Sequence, residues 1–176
     1  MSYGDEVMNL REPDHSAPAM TRSLRAALFT EPLGAVPRRA LLAVDADLSV
    51  RQAIRMMNAA AQGCVLVVHE GRLAGILTER DILERVAAAD PEVANLPVAY
   101  LMTPDPDTLP ASAPVALALH KMALEDYRHI ALVNADGTPA GVVGVRDIVV
   151  WLVDMFPEAI INLPPTLRFP QTAAGA

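Results

Sequence analysis

Residues 63–83, GCVLVVHEGRLAGILTERDIL, align without a gap on residues 129–149, HIALVNADGTPAGVVGVRDIV. Eight of the 21 positions are identical: Leu66/Leu132, Val67/Val133, Gly71/Gly137, Ala74/Ala140, Gly75/Gly141, Arg80/Arg146, Asp81/Asp147 and Ile82/Ile148. Upstream the register slips by one residue, yet Val50/Val115, Ala53/Ala118 and Met57/Met122 still match. A similarity this extended is a duplication, and a repeat fixes the architecture before any other feature does. With 176 residues, the chain holds either one ordinary domain or two small units sharing a core.

Each copy reads in the same order. An apolar run opens it, Leu41 to Val44 in the first copy and Thr108-Leu109 in the second. An amphipathic helix follows, with Val50, Ala53, Ile54, Met57 and Ala61 at helical spacing on one face. A second strand spans Cys64 to His69, or Ile130 to Asn134. Turn residues Glu70-Gly71-Arg72, or Ala135 to Thr138, suit a tight β connection. A short strand is expected from near Gly75 or Gly141, and then a helix; the second copy's is about Val145 to Phe156, stopped at Pro157. The expected fold is α/β of the α+β kind, β-α-β-β-α twice. The expected divisions are an irregular N-terminal extension over 1–37, repeats at 38–90 and 107–157, a linker at 91–106 and a tail at 158–176.

Composition narrows the function. Hydrophobic residues make up 52% and charged residues 20%, as in a compact domain, and with 4% aromatics the core is built from Ala, Val, Leu, Ile and Met. Met56, Met57 and Met122 are expected there. A net charge of −7 repels nucleic acid and anionic membrane, and no apolar run reaches the length of a membrane span. The start, MSYGDEVMNLREPD, lacks the apolar stretch of a secretory signal, so a reducing cytoplasm is expected. Cys64, the lone cysteine, sits in an apolar run as a small hydrophobe and excludes a disulfide framework. His15, His69 and His120 show no metal-ligand spacing and read as surface residues. No P-loop, strand-borne GxGxxG, nucleophile elbow or HExxH occurs, which argues against an enzyme.

The chemistry concentrates where a strand passes into a helix: Gly75-Ile-Leu-Thr-Glu-Arg-Asp81, echoed by Gly141-Val-Val-Gly-Val-Arg-Asp147. Two readings fit. Thr78 with Asp81 three residues on is a capping-box variant that satisfies free backbone N–H groups. The same geometry also presents an anion-attracting helix start, with a carboxylate placed to accept the two hydroxyls of a ribose and a hydroxyl beside it for phosphate.

The segment GILTERDIL resembles the ribose-binding signature of CBS (cystathionine-β-synthase) domains, Gly-hydrophobic-x-Thr/Ser-x-x-Asp. Leu101-Met102-Thr103-Pro104 resembles the opening of a second CBS repeat, and Tyr127 to Val133 resembles the family's central strand. The ending FPEAIINLPP is similar to that of small stand-alone bacterial CBS pairs. The resemblance covers about residues 38 to 163. It implies two repeats packed with pseudo-twofold symmetry and two clefts between them. One cleft would use Thr78, Arg80 and Asp81 facing Thr103, Thr108, Tyr127 and Arg128, with His129 beside them; the other would use Arg146 and Asp147 opposite Ala43 and its neighbours. Gly144 stands where Thr or Ser is expected, so the second cleft is expected to bind more weakly. The implied ligand is AMP, ADP or ATP, with S-adenosylmethionine or NAD(H) as alternatives, and no cofactor is required. The implied role is non-catalytic regulation of an unidentified protein, against the alternative of an adaptor with empty clefts. The nearly all-apolar last helix points to a homodimer, the competing reading being that the tail Ile160 to Phe169 covers it.

Overall fold

A computed structural model of the chain describes residues 19–86 and 91–156. The first repeat comprises β1 (Ala43–Asp45), α2 (Val50–Ala60), β2 (Cys64–His69), β3 (Arg72–Thr78) and α3 (Glu79–Arg85). After β4 (Thr103–Pro104), the second repeat comprises β5 (Thr108–Leu109), α4 (Val115–Glu125), β6 (His129–Val133), β7 (Pro139–Gly144) and α5 (Val145–Met155). A further helix, α1 (Ala19–Thr30), precedes both. The expected α+β order is present twice, although β3 and β7 start earlier than the glycines suggested.

Each sheet has a parallel pair followed by an antiparallel hairpin. β1 lies parallel to β2, which pairs antiparallel with β3; β5, β6 and β7 repeat the arrangement. The β2–β3 hairpin closes through Glu70 and Gly71 at φ 50° and 77°, the doubly left-handed turn that matches strand twist. Helix α2 starts at a capping box of Ser49 and Gln52 and buries Val50, Ala53 and Met57 with Ile54 packed beside them, whereas Ala61, expected on the same face, is the exposed C-cap at φ 50°. Met56, expected in the core, stands on the outer side of that stripe and is 38% exposed.

The continuous apolar run in β2 has a structural reason. Val65 and Val67 face the first repeat's core, with Val44, Val50, Met57 and Leu77. Cys64 and Leu66 face the other way and meet Ile76 and Ala131 in a small cluster that joins the two repeats. A strand with both faces buried has no position left for a polar residue. Burial, together with the charges of Asp147 and Glu79, pushes the Cys64 thiol up to about 12, so it stays a protonated, inert side chain.

Two corrections concern segments read as connections. Residues 19–30, within the extension expected to be irregular, form helix α1, which packs through Ala27 and Leu28 on the second repeat's core. Leu33 and Val36 beyond it are fully buried in that core, with Leu109, Val115 and Ile130. The linker does the reverse, placing Val98 and Leu101 in the first repeat's core. The two exchanges use the same bonds. Leu33 N–H donates to Ala113 O at 2.8 Å and Gly34 N–H to Ala111 O at 2.8 Å. In the other half Val98 N–H donates to Leu48 O at 2.7 Å and Ala99 N–H to Ala46 O at 3.1 Å. The duplication therefore extends upstream of the residues whose identity reveals it, and each arm completes the other repeat. The arms were illegible because turn residues flank them and only one or two apolar side chains in each carry the packing. The tail at 158–176 and His15 lie outside the described residues.

Helix α5 buries Ile148 and Trp151 and rests Leu152 on the second core. Val149, Val150 and Met155 remain 52%, 47% and 41% exposed.

Candidate functional site

Asp81 is the one buried charged residue among those described, 8% exposed at the head of α3. Thr78 ends β3 in extended conformation, and its backbone N–H and hydroxyl donate to Asp81 Oδ2 at 2.9 and 2.6 Å. Asp81 N–H donates back to Thr78 Oγ1 at 3.3 Å. The capping box is real and occupies Oδ2. Oδ1 has only long contacts, 3.5 Å from the Thr103 hydroxyl and 3.7 Å from an Arg85 nitrogen. A carboxylate locked by one oxygen and accessible at the other can accept a ligand hydroxyl without losing its structural role.

Asp81 lines a cleft of about 690 Å³ between the repeats, bounded on one side by Ile76, Thr78, Asp81 and Leu83 and on the other by Asp107, Tyr127, Arg128 and His129. Thr103 reaches the cleft because β4 pairs with β3, Ile76 opposite Thr103. Gly75 permits this approach: a Cβ there would stand 2.3 Å from Met102 Sδ. Arg80, expected at a ligand, spans the cleft mouth, donating to Asp126 O at 3.1 Å and pairing with its carboxylate at 3.3 Å.

A second cleft of about 380 Å³ is headed by Asp147. Gly144 N–H donates to Asp147 Oδ2 at 2.8 Å, reproducing the backbone half of the box without a hydroxyl. The expected Arg146 and Asp147 line this cleft together with Arg39, Leu42, Gln62 and Gly63. Arg128, His129, Gly63 and Glu79 line both clefts and form a shared wall. Burial holds the His129 imidazole below its ordinary value; Asp147 and Glu79 oppose this and Arg128 adds to it.

Thr108 and Ala43 line neither cleft. Ala43 packs on the Cys64–Leu66 cluster, and Thr108 pairs with Ala131 in the sheet. Their preceding residues, Asp107 and Leu42, reach the clefts instead, the same one-residue displacement in both repeats that side-chain alternation along a strand produces. Asp107 was missed for this reason. It accepts from the Tyr127 hydroxyl and from Lys121 Nζ, the latter at 3.0 Å. Those bonds, Tyr127's above all, hold its carboxyl below the usual range, while burial and then Asp107 push the Tyr127 phenol up. The acidic residues Glu84, Asp105 and Glu125 also line the Asp81 cleft, with no local motif to mark them. His69 and His120 are exposed, and no group of three potential metal ligands occurs among the described residues.

Paired repeats and exchanged arms define a two-repeat protein with a carboxylate-headed cleft on each side. The pattern of the CBS domain family matches residues 33–88 and 98–154, and the chain belongs to that family as a tandem CBS pair. An uncharacterised 17.7 kDa protein of Acidianus ambivalens is 30% identical over 113 residues, 64% of this chain and 67% of that one. A CBS domain-containing protein of Arabidopsis thaliana is 30% identical over 139 residues, but the match spans only 25% of that protein's length. Among solved structures, an uncharacterised conserved protein of Pyrococcus horikoshii superposes with a TM-score of 0.63 at 26% identity, covering 70% of this chain and 93% of that one. A CBS domain protein of Pyrobaculum aerophilum complexed with AMP superposes with a TM-score of 0.61 at 23% identity, covering 70% and 98%. No described helix is long and apolar enough to cross a membrane.

Proposed function

We propose that this CBS pair is a non-catalytic regulatory module that binds an adenosine-containing ligand, AMP, ADP or ATP, in the clefts between its repeats. The observation that carries the reading is the repeated carboxylate: Asp81 and Asp147 each stand at a strand-to-helix junction, fixed by a backbone N–H at 2.9 and 2.8 Å and facing a cleft. A vicinal diol is the group such a carboxylate recognises with two charge-assisted bonds. Thr78, Thr103, Tyr127, Arg128 and His129 complete one site, and Arg146 with Arg128 and His129 the other. AMP in a structural neighbour supports the choice of ligand class. Binding draws the repeats to one relative angle by differential affinity, and a partner protein reads that angle. The cytoplasm, where Cys64 stays reduced, suits that role.

The exposed Val149, Val150 and Met155 of α5 support a homodimer built on that helix. Light scattering on the full chain at micromolar concentration tests this: a dimer is expected, and a monomer overturns it.

The ligand reading is tested by thermal unfolding with a panel of AMP, ADP, ATP, S-adenosylmethionine and NADH. At a hundredfold excess over Kd a bound ligand stabilises by about 2.7 kcal/mol, an upward shift in Tm that the Asp81→Asn/Asp147→Asn double variant should lose. No shift with any of them favours the adaptor with empty clefts, and turnover of one would identify an enzyme.

A further inference from the structure

We propose that the two clefts sort ligands by charge: the Asp147 cleft takes the phosphorylated adenosine ligand, and the Asp81 cleft takes an adenosine derivative that carries no phosphate. The inference rests on the reading of both clefts as adenosine sites and reverses the order of strength that Gly144 suggested.

Seven carboxylates line the Asp81 cleft, among them Glu84, Asp105, Asp107, Glu125 and Asp126, against the two guanidiniums of Arg80 and Arg128, a formal balance of −5. Lys121 and Arg85 behind the wall pair with Asp107 and Asp81 and leave the balance at −3. Arg80 is engaged by Asp126. The Asp147 cleft has Arg39, Arg128 and Arg146 against Glu79 and Asp147, a balance of +1. Its guanidiniums come from three separate segments, before β1, before β6 and in the first turn of α5. Among the described residues, none of the three is in an ion pair.

A cleft with low-dielectric walls focuses the field of its lining charges, so one sign of ligand is concentrated and the other repelled. ATP brings about four negative charges. In the Asp81 cleft they would face Asp105, Asp107 and Glu84 with Arg128 as the one uncommitted cation. In the Asp147 cleft three guanidiniums can bind phosphate oxygens, and such charge-assisted bonds are about twice as strong as the neutral hydroxyl bond that Gly144 lacks. The ribose carboxylate is common to both clefts, so the phosphate-contacting walls decide. An adenosine compound with neutral or positive substituents meets no such penalty beside Asp81.

Titration calorimetry in EDTA, with ATP and then with adenosine added to the ATP-saturated chain, separates the possibilities. The Arg39→Ser/Arg146→Ser variant changes only exposed side chains and should lose ATP affinity by about tenfold or more, the scale on which focused fields act. Asp81→Asn should leave ATP binding intact and abolish the adenosine uptake that follows saturation. ATP binding lost in Asp81→Asn but kept in the double arginine variant overturns the charge sorting while the adenosine reading stands. An unmodified chain that binds neither compound overturns the adenosine reading itself.

Discussion

The clefts headed by Asp81 and Asp147 share one backbone course and one wall, Glu79, Arg128 and His129, and differ in the charged side chains that complete them. Thr78 and Gly144 end their strands at φ,ψ of −117°, 164° and −96°, 156°, and each N–H holds the same carboxylate oxygen. The packing positions have stayed apolar in both copies, Val50 and Val115, Met57 and Met122, Leu33 and Val98. The cleft walls have diverged to opposite charge. A buried position is held by the volume around it, whereas an exposed one is free to follow a ligand. The comparison thus separates what the duplication must keep to fold from what it can change to bind.

The largest effect is expected where the copies are most alike. Leu33→Ala removes a fully buried side chain from the second repeat's core and should cost about 2–5 kcal/mol in urea unfolding. Val98→Ala, its counterpart in the first repeat, should also destabilise, by about 1–3 kcal/mol. If either arm variant unfolds like the parent chain, the exchanged arms do not complete the cores.

These arms mark the limit of what the sequence shows. Strands, hairpins and helices were legible because continuous apolar runs mark β2 and β6, helical apolar spacing marks α2 and α4, and Thr78 with Asp81 announced its own cap. Leu33 and Val98 were not, because one apolar side chain next to a proline carries no period. The cleft walls were half legible: Asp81 and Asp147 sit in a recurring motif, but Asp107 was displaced by one residue to Thr108. Glu84, Asp105 and Glu125 meet only when three separate segments fold together.

The next contrast concerns the caps. Asp81→Ala removes an acceptor of bonds from both the N–H and the hydroxyl of Thr78, and should cost about 1–2 kcal/mol. Asp147→Ala loses the bond from Gly144 N–H alone and should cost less, within about 1 kcal/mol. Equal losses in denaturant midpoint would erase this difference between the copies. Gly144→Ser sharpens it from the other side. The backbone there is extended, and a Cβ would stand 3.2 Å from Asp147 Oδ2, so a side chain fits with a slight adjustment. The added hydroxyl should stabilise by a few tenths of a kcal/mol, read as a small rise in Tm.

The remaining effect is a pH dependence confined to the acidic cleft. Bonds from Tyr127 and Lys121 depress the folded-state value of Asp107. Their stabilisation is therefore present above the unfolded carboxyl's value of about 4 and is lost as pH falls through the depressed folded value. Asp107 is well exposed, so the contribution stays within about 1 kcal/mol. Tyr127→Phe should flatten the acid limb of the stability curve, and a limb of unchanged slope would show that the phenol bond contributes nothing.

The central claim is that one fold presents two ribose carboxylates in opposite electrostatic settings, and a crystal structure of the chain grown with ATP tests it most directly. The account predicts the ribose hydroxyls on Asp147 and the phosphates within hydrogen-bond reach of Arg39, Arg128 or Arg146, with no nucleotide beside Asp81. A triphosphate seated among Asp105, Asp107 and Glu84 with its ribose on Asp81 would contradict it.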